Sequence, residues 1–229
     1  MSMRASTSKG VFITGTDTGV GKTLVACALI RRLADAGVGV VGMKPVAAGI
    51  ETGADCNEDV LALATASNVA APLRERNPYV FAAPIAPHLA AQRTGIAIEQ
   101  ATIRDAYDAL AARAHAVVVE GAGGALVPLG ARCDMLDVAV TLQLPVVVVV
   151  GMRLGCLNHA LLTALAIRLR GLRLAGWVAN RIDPAMRECA ANIAALESRL
   201  AAPRLASVEW GGAIEWACNS AWRALLDRD

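Results

Sequence analysis

Short apolar runs alternate with longer amphipathic stretches along most of the chain. Apolar runs without a polar side are typical of strands covered on both faces, and the amphipathic stretches have the periodicity of helices. The alternation predicts an α/β fold, with a mainly parallel sheet flanked by helices on both faces. Strands are expected at Gly10–Thr14, Gly39–Met43, Ala116–Glu120, Pro145–Gly151 and Leu174–Ala179, with a weaker pattern at Arg204–Val208.

The amphipathic stretches predict seven helices within a single domain, residues 1–229. The run PVVVVV, residues 145–150, should form a central strand because it offers no polar face to solvent. The helices are expected at about Lys22–Ala36, Glu58–Ala66, Ile98–Ala114, Asp134–Leu142, Asn158–Arg170, Pro184–Leu200 and Gly212–Leu226.

The segment Ala70–Gly95 has the least regular pattern and holds four of the nine prolines. Long irregular segments in a compact domain are often functional loops, and this one is placed to form one wall of a cleft. A surface insertion would explain the same pattern equally well.

Composition narrows the class of protein. Hydrophobic residues make up 55% and aromatic residues 3%, so the core is expected to consist of Ala, Val, Leu and Ile. The net charge is +2 with Lys and Arg scattered, which argues against a nucleic-acid partner. The longest apolar run is far below the ~20 residues of a membrane span, and no apolar leader opens the chain, so we expect a cytoplasmic protein without membrane contact.

The cysteines are far apart, and they lack the short paired spacing of zinc and redox sites. Buried, reduced thiols are therefore the expectation, and covalent catalysis by cysteine is not indicated. The six residues are Cys27, Cys56, Cys133, Cys156, Cys189 and Cys218.

A glycine-rich stretch, GTDTGVGKT at residues 15–23, lies between the first predicted strand and the first predicted helix. In this context backbone N–H groups, the helix dipole and Lys22 would converge on a phosphate, which predicts a P-loop NTPase-like domain. The Thr23 hydroxyl would then face Mg²⁺. Thr16 stands where the strict pattern has glycine, and a tight turn alone would explain the glycines but not Lys22-Thr23. The nucleotide-binding residues predicted here are Thr16, Asp17, Thr18, Gly19, Val20, Gly21, Lys22 and Thr23.

Two further charged residues lie at the carboxyl ends of predicted strands. Lys44 follows the second strand, and Glu120 ends the strand HAVVVE before GAGG. The carboxyl ends of the strands in a doubly wound sheet surround the phosphate site. This position favours Lys44 as a second lysine that faces the phosphates and Glu120 as a magnesium ligand. A surface lysine and a chance strand-capping glutamate remain as alternatives.

Five segments, in order along the chain, resemble the dethiobiotin synthetase family over about Val11 to Pro184. They are GTDTGVGKT (15–23), GMKPVAAG (42–49), VVEGAGG (118–124), VVGMRLGCLNHALLT (149–163) and LAGWVAN (174–180). The resemblance implies an ATP-dependent ligase of biotin biosynthesis that closes 7,8-diaminononanoate and CO₂ into the cyclic urea of dethiobiotin. It implies that a carbamate takes the γ-phosphoryl group and that the second amine then expels phosphate. Mg²⁺ as cofactor, ATP as co-substrate and a homodimer are implied as well.

The resemblance also implies the roles of individual residues. Catalysis is assigned to Lys22, Lys44 and Thr18, the metal to Thr23, Asp59 and Glu120, and the base to Asn180. Asp59 is selected by this match alone, since Asp55 and Glu58 lie beside it and acids are ordinary in a first helical turn. The residues assigned to substrate binding are Lys44, Ala48, Glu120, Gly123, Gly155, Cys156 and Asn158. The last three would bind the substrate across a dimer interface. An ordinary capped helix would also explain the segment that contains them. His88 matches a family motif, but by itself is more often a packed or capping residue.

Three positions depart from the family's pattern. Ala48 stands where serine is usual, and Gly19 where glutamate is usual. The stretch ASVEWGG, residues 206–212, replaces Gly-Glu-Ile-Pro-Trp, so the preference for ATP over GTP or CTP stays open. The element NRID at 180–183 is also similar to the guanine-reading motif of GTPases, but we interpret this as coincidence, because Arg181 replaces its lysine and the preceding GWVAN matches the family.

A nucleotide-switch protein, such as a partitioning ATPase, is the rival from another class. Those proteins carry lysine at the second position of the phosphate loop, whereas this chain has Asp17. A switch would also give no reason for the matches at KPVAAG and LGCLNHA.

Overall fold

The structure is a computed structural model that describes residues 10–50, 53–54, 56–212, 214–217 and 222. The strands within these residues are β1 (Gly10–Gly15), β2 (Val40–Met43), β3 (Val46–Ala48), β4 (Tyr79–Phe81), β5 (Ala116–Gly124), β6 (Val146–Met152), β7 (Leu174–Arg181), β8 (Arg204–Val208) and β9 (Ile214–Trp216). The helices are α1 (Lys22–Asp35), α2 (Glu58–Ala66), α3 (Leu73–Arg76), α4 (Pro87–Thr94), α5 (Gln100–Ala111), α6 (Met135–Leu142), α7 (Cys156–Leu169) and α8 (Cys189–Arg199).

A seven-stranded sheet forms the centre, in the order β2-β5-β1-β6-β7-β8-β9. Neighbouring strands are parallel from β2 to β8, and β9 is added antiparallel at the edge. The first strand lies third and the valine-rich β6 lies fourth, so both predictions of an interior position are confirmed. The predicted α/β class with a mainly parallel sheet is confirmed too.

Apolar side chains cover both faces of the sheet because successive residues of each strand point to opposite sides. Phe12 and Val148 belong to the cluster that packs under α5, α6, α7 and α8. Ile13 and Val147 belong to the cluster that packs under α1 and α2. Helices therefore flank both faces, as the sequence predicts.

The segment Ala70–Gly95 is more regular than its prolines predict. It contains α3, β4 and α4, and β4 pairs with β3 in a separate two-stranded parallel sheet. Pro87 opens α4, where a missing N–H costs nothing, and Gly95 ends it with a φ of 68°. The prolines mark the ends of short elements instead of preventing them.

The helix predicted at Gly212–Leu226 is wrong over Ile214–Trp216, which form β9. Pairing with the edge strand β8 decides this segment against its helical periodicity. Apart from Gly212, Ala217 and Trp222, the rest of the predicted helix lies outside the described residues.

Three other helices differ from their predicted bounds by two residues or more at one or both ends. The predicted Ile98–Ala114 is shorter at both ends as α5, and Pro184–Leu200 begins only at Cys189 as α8. The helix predicted at Asn158–Arg170 begins at Cys156, directly after Gly155, whose φ of 95° turns the chain into it.

The cysteines of the described residues are free thiols, as expected. Cys27 and Cys156 are buried, whereas Cys56, Cys133 and Cys189 are half-buried. Cys218 lies outside the described residues.

Candidate active site

The glycine-rich loop joins β1 to α1 and leaves the start of α1 open. Gly19 and Gly21 have φ values of 71° and 88°, a conformation that glycine adopts without strain. Gly21 caps α1 without a side-chain hydrogen bond, so the first N–H groups of α1 are available to a phosphate. Lys22 is buried, and its Nζ donates to the Asp17 carbonyl at 3.0 Å. Burial lowers the pKa of Lys22.

Neighbouring strands hold this loop from behind. Asn180, at the end of β7, donates from Nδ2 to the Val20 carbonyl at 2.8 Å. The Thr16 hydroxyl accepts from the Gly151 N–H at 3.3 Å, and the Asp17 carboxylate pairs with Arg153 at 2.5 Å. The loop conformation is thereby fixed by groups from β6, β7 and the turn before α7.

A buried ion cluster lies beside the loop. The Lys44 Nζ is 2.6 Å from Asp59 Oδ2 and 2.7 Å from Glu120 Oε1. The Thr23 Oγ1 is 2.7 Å from Asp59 Oδ1 and 2.9 Å from Glu120 Oε1. A hydroxyl has a single proton, so Thr23 donates to one carboxylate at a time. The structure thus brings together four residues that are distant in sequence.

Burial and the charges of neighbouring groups act in opposite directions on the pKa values of this cluster. The side chains of Lys44 and Glu120 are 6% and 1% exposed, and that of Asp59 is 32% exposed. Burial acts to lower the pKa of Lys44, but Glu120 and Asp59 outweigh it and raise that pKa. Burial also acts to raise the pKa of Asp59, but Lys44 and Thr23 outweigh it and lower that pKa. Burial raises the pKa of Glu120 against the opposing charge of Lys44. Lys44 therefore stays an ammonium.

Local structure places the two carboxylates. Asp59 lies in the first turn of α2, where Asn57 caps the helix by accepting from the Asp59 N–H at 3.1 Å. Glu120 lies inside β5 and not at its end, which corrects the predicted boundary, because β5 continues to Gly124. The pairing of β5 with β1 is regular up to Glu120 and shifts beyond it, so the strand departs from the ladder just after the carboxylate.

The oxygen atoms of Thr23, Asp59 and Glu120 form a donor set that suits a hard cation. The Glu120 Oε2 atom is buried and lacks a hydrogen-bond partner in the described structure, as an oxygen meant for a further ligand would. Within the described residues, no group of three or more His, Cys, Asp and Glu side chains is arranged so that it could hold a metal ion. The mixed hydroxyl–carboxylate set fits Mg²⁺ better than it fits a soft transition metal.

A cleft of about 710 Å³ opens over the loop and the ion cluster. The predicted site residues that line it are Thr18, Gly19, Gly21, Lys22, Thr23, Lys44, Ala48, Asp59, Glu120 and Gly123. Residues 84–87 line it as well, so the prediction that the segment Ala70–Gly95 forms one wall is confirmed.

Glu58, Ala122 and Val127 also line the cleft, although they are not among the predicted site residues. Glu58 adjoins Asp59, so its position in the first turn of α2 was the available signal. Val127 becomes part of the wall through the turn that follows β5, which Gly124 and Pro128 could have signalled without showing which side chain faces the cleft.

The remaining predicted residues lie elsewhere. Thr16 and Asp17 line a neighbouring groove of about 380 Å³ together with Thr18 and His159. Val20 is buried within the phosphate loop, and Asn180, which donates to its carbonyl, is buried behind that loop. Gly155 and Asn158 are exposed at the start of α7, and Cys156 is buried there. Within one chain these α7 residues do not reach the cleft that holds Lys44.

The geometry at Gly21 generates a first prediction. A methyl group there would lie 2.2 Å from Asn180 Nδ2, whereas a methyl group at Gly19 would meet no atom within 4 Å. Both positions have positive φ, so the two Gly→Ala variants carry a similar backbone strain of about 1–2 kcal/mol. We expect Gly21→Ala to displace Asn180 and weaken ADP binding about tenfold more than Gly19→Ala does, as measured by calorimetric titration. Equal ADP affinity of the two variants would contradict the role of this contact.

Comparison with known proteins identifies the family. A family model described as an AAA domain matches residues 9–217. The ATP-dependent dethiobiotin synthetase of Nitrosospira multiformis is 55% identical over 197 residues, 86% of each chain. That of Aromatoleum aromaticum is 53% identical over 86% of this chain and 88% of its own.

Solved structures share the fold at low identity. The septum site-determining protein MinD of Pyrococcus horikoshii, complexed with Mg-ADP, is 14% identical, with a TM-score of 0.54 over 87% of this chain and 80% of its own. The cell division protein FtsY of Thermotoga maritima is 16% identical, with a TM-score of 0.53 over 96% and 68%. These likenesses show the P-loop NTPase-like fold alone. The identity to the synthetases extends over most of the chain, and the chain therefore belongs to the ATP-dependent dethiobiotin synthetase family.

Proposed function

We propose that this protein is the ATP-dependent ligase that forms dethiobiotin from 7,8-diaminononanoate and CO₂ in biotin biosynthesis. Membership of the synthetase family supports the reaction. The observation that carries it is the position of Lys44, whose ammonium lies in the same cleft as the phosphate loop. A second buried cation next to Lys22 is suited to a reaction that generates negative charge beyond the γ-phosphate.

The chemistry proceeds by positioning rather than by a protein nucleophile. One amine of the substrate adds to CO₂ and loses a proton, which gives a carbamate. A carbamate oxygen attacks the γ-phosphorus, and ADP leaves with the electrons of the broken P–O bond. The second amine attacks the carbamate carbon and loses a proton, and inorganic phosphate departs as the ring closes. Phosphoryl transfer needs mainly orientation and charge neutralisation, which the loop and the two lysines provide.

Individual residues take these roles. Lys22 faces the β- and γ-phosphates, and Lys44 neutralises the carbamate and the anhydride that replaces it. Thr18 is exposed at the mouth of the cleft, where it can orient the carbamate. Ala48 lines the same cleft and offers a methyl group in place of a hydroxyl, so this substrate contact is apolar here.

We propose further that Mg²⁺ is held by Thr23, Asp59 and Glu120. When bound, the cation would neutralise and orient the phosphate oxygens. Lys44 contacts both carboxylates, so its ammonium and the cation share the same ligands.

Replacement of Glu120 by Gln tests this metal site. The neutral amide is a poor ligand for a hard cation, so we expect Mn²⁺, used as a spin probe in the presence of ADP, to bind at least about tenfold more weakly. Glu58→Gln is the matched control, because Glu58 lines the cleft without belonging to the ion cluster. Unchanged Mn²⁺ affinity of the Glu120 variant would remove this residue from the metal site.

A homodimer is proposed from the surface of α7. Leu162, Leu165 and Leu169 are 57%, 52% and 77% exposed, and with Asn158 they follow one helical face. Leu154 before the helix is 95% exposed. An apolar strip of this kind is suited to an isologous interface, where a second copy would bring Gly155, Cys156 and Asn158 to the substrate's carboxylate end.

Charge on this strip should prevent the dimer. We expect Leu165→Glu to sediment as a monomer in analytical ultracentrifugation, because burial of an unpaired carboxylate is costly. Leu61→Glu, which places the same charge on an exposed leucine of α2, should sediment as the wild type does. A wild-type protein that is monomeric and fully active would contradict the proposal.

The remaining expectations concern the nucleotide, the location in the cell and partners other than the substrates. ATP is proposed as the nucleotide, with Asn180 near the base, although its amide holds the Val20 carbonyl in this structure. The search of the described helices finds none that is both long and apolar enough to span a bilayer. The cytoplasmic location and the lack of nucleic-acid partners stay predictions from the sequence.

An assay by omission separates the synthetase from a nucleotide switch. Phosphate release should be negligible with ATP and Mg²⁺ alone and should rise when diaminononanoate and bicarbonate are both present, because together they form the phosphoryl acceptor. Lys44→Ala should lose most of that rise, on the order of 10²–10³ in rate, since it removes charge from the position of the anhydride. A wild-type rate that ignores both compounds would contradict the proposed function.

A further inference from the structure

Three buried polar side chains lie next to the cleft without lining it. Asn57, Arg76 and Asn77 are 6%, 5% and 7% exposed. A buried polar group costs free energy unless it is hydrogen-bonded, so the partners of such groups indicate what they hold in place. Asn57 caps the helix that carries Asp59, as described above. Arg76 and Asn77 hold Lys44.

Lys44 occupies an unusual place in the backbone. It links β2, in the seven-stranded sheet, to β3, in the two-stranded sheet, with Pro45 between. Neither sheet ladder includes Lys44 itself. The orientation of its backbone, from which the side chain extends, therefore depends on what bonds its own peptide groups.

Two consecutive residues bond both peptide groups of Lys44. Its N–H donates to the Arg76 carbonyl at 2.8 Å. Its carbonyl accepts from Asn77 Nδ2 at 2.7 Å, and the same amide donates to the Tyr79 carbonyl at 2.9 Å. Asn77 thus uses both amide protons, one on Lys44 and one at the start of β4.

The residue before Asn77 is itself fixed. The Arg76 guanidinium donates to the carbonyls of Val69 at 2.8 Å and Gly42 at 3.3 Å, and to the Ser67 hydroxyl at 3.0 Å. These contacts join it to β2 and to the end of α2, the helix that carries Asp59. Arg76 therefore connects Asn77 to β2 and to α2, and α2 also carries Asp59, one of the two carboxylates that contact Lys44.

We propose that Asn77 is a positioning residue for Lys44. The side-chain amide of Asn77 fixes the Lys44 carbonyl, and this directs the Lys44 ammonium at the cleft. The inference rests on the catalytic role proposed for Lys44. Without Asn77, the link between the two sheets could turn about the Lys44 backbone, and the ammonium would leave the position between Asp59 and Glu120. Misplacement of about 1 Å can cost about 100-fold in rate.

Asn77→Ala tests this with Asn68→Ala as the matched control. Asn68 also bonds backbone groups around β2, accepting from the Val40 N–H at 2.7 Å and donating to the Val38 carbonyl at 2.9 Å, but at the far end of the strand from Lys44. We expect Asn77→Ala to lower kcat for dethiobiotin formation by about 10- to 100-fold, with the KM for ATP changed less than about twofold. Asn68→Ala should leave kcat within about twofold of wild type.

A double-mutant cycle separates positioning from general stability. In a Lys44→Ala background, Asn77→Ala should lower the residual rate, followed by incorporation of labelled bicarbonate, by less than about twofold, because its target is gone. An equal loss in both backgrounds would overturn the proposal, and so would an unchanged kcat. If Asn77→Ala does not fold, Asn77→Ser takes its place in the same cycle.

A second readout does not require the reaction. Trace acetylation with acetic anhydride, quantified at Lys44 by mass spectrometry, should be several-fold faster in Asn77→Ala than in wild type or Asn68→Ala. Away from its two carboxylates, the Lys44 amine becomes accessible to the reagent and loses the partners that favour its unreactive charged form. Equal acetylation rates of all three proteins would overturn the positioning role. A wild-type protein that forms no dethiobiotin would defeat the proposed function, while the acetylation rates would still decide the role of Asn77.

Discussion

The buried ammonium of Lys44 is the constraint on which this site depends. A charge at that depth is tolerated only when opposite charges and hydrogen bonds surround it, and Asp59 and Glu120 supply them from α2 and β5. Each of the three charges would be costly to bury without the others. The sheet order explains how they meet, since β2, β5 and β1 are neighbours and end at the same edge.

The carboxylates of Asp59 and Glu120 also bear on how the site would hold a divalent cation. Oxygen atoms that balance Lys44 are also the ones suited to a divalent cation, so the site has two uses for the same negative charge. Nucleotide phosphates at the loop would bring the charge that both cations could then share. In the proposed arrangement, the bonds from Arg76 and Asn77 hold the Lys44 backbone, so that the ammonium keeps its position between the two carboxylates.

The sequence predicts those parts of the site that are local. The phosphate loop is read from contiguous residues, and Lys44 and Glu120 from their places beside strands. Asp59 could be chosen over Glu58 only through family resemblance, because both lie in the same first helical turn. The wall was predicted as a segment, from the irregular pattern of Ala70–Gly95, but not which of its residues would line the cleft. That detail, and the bonds from Arg76 and Asn77 to Lys44, arise from long-range packing, which periodicity does not encode. β9 was missed for the same reason, since its partner strand decided its conformation.

The central claim is that a carbamate oxygen becomes part of the released phosphate. Freshly dissolved C¹⁸O₂ in unlabelled water, supplied with diaminononanoate, ATP and Mg²⁺, tests it directly by mass spectrometry of the phosphate. We expect one ¹⁸O in each phosphate released during the first turnovers, before the label exchanges with water. Phosphate released alongside dethiobiotin without ¹⁸O would mean that the γ-phosphoryl group never passes to the carbamate, and would contradict the account.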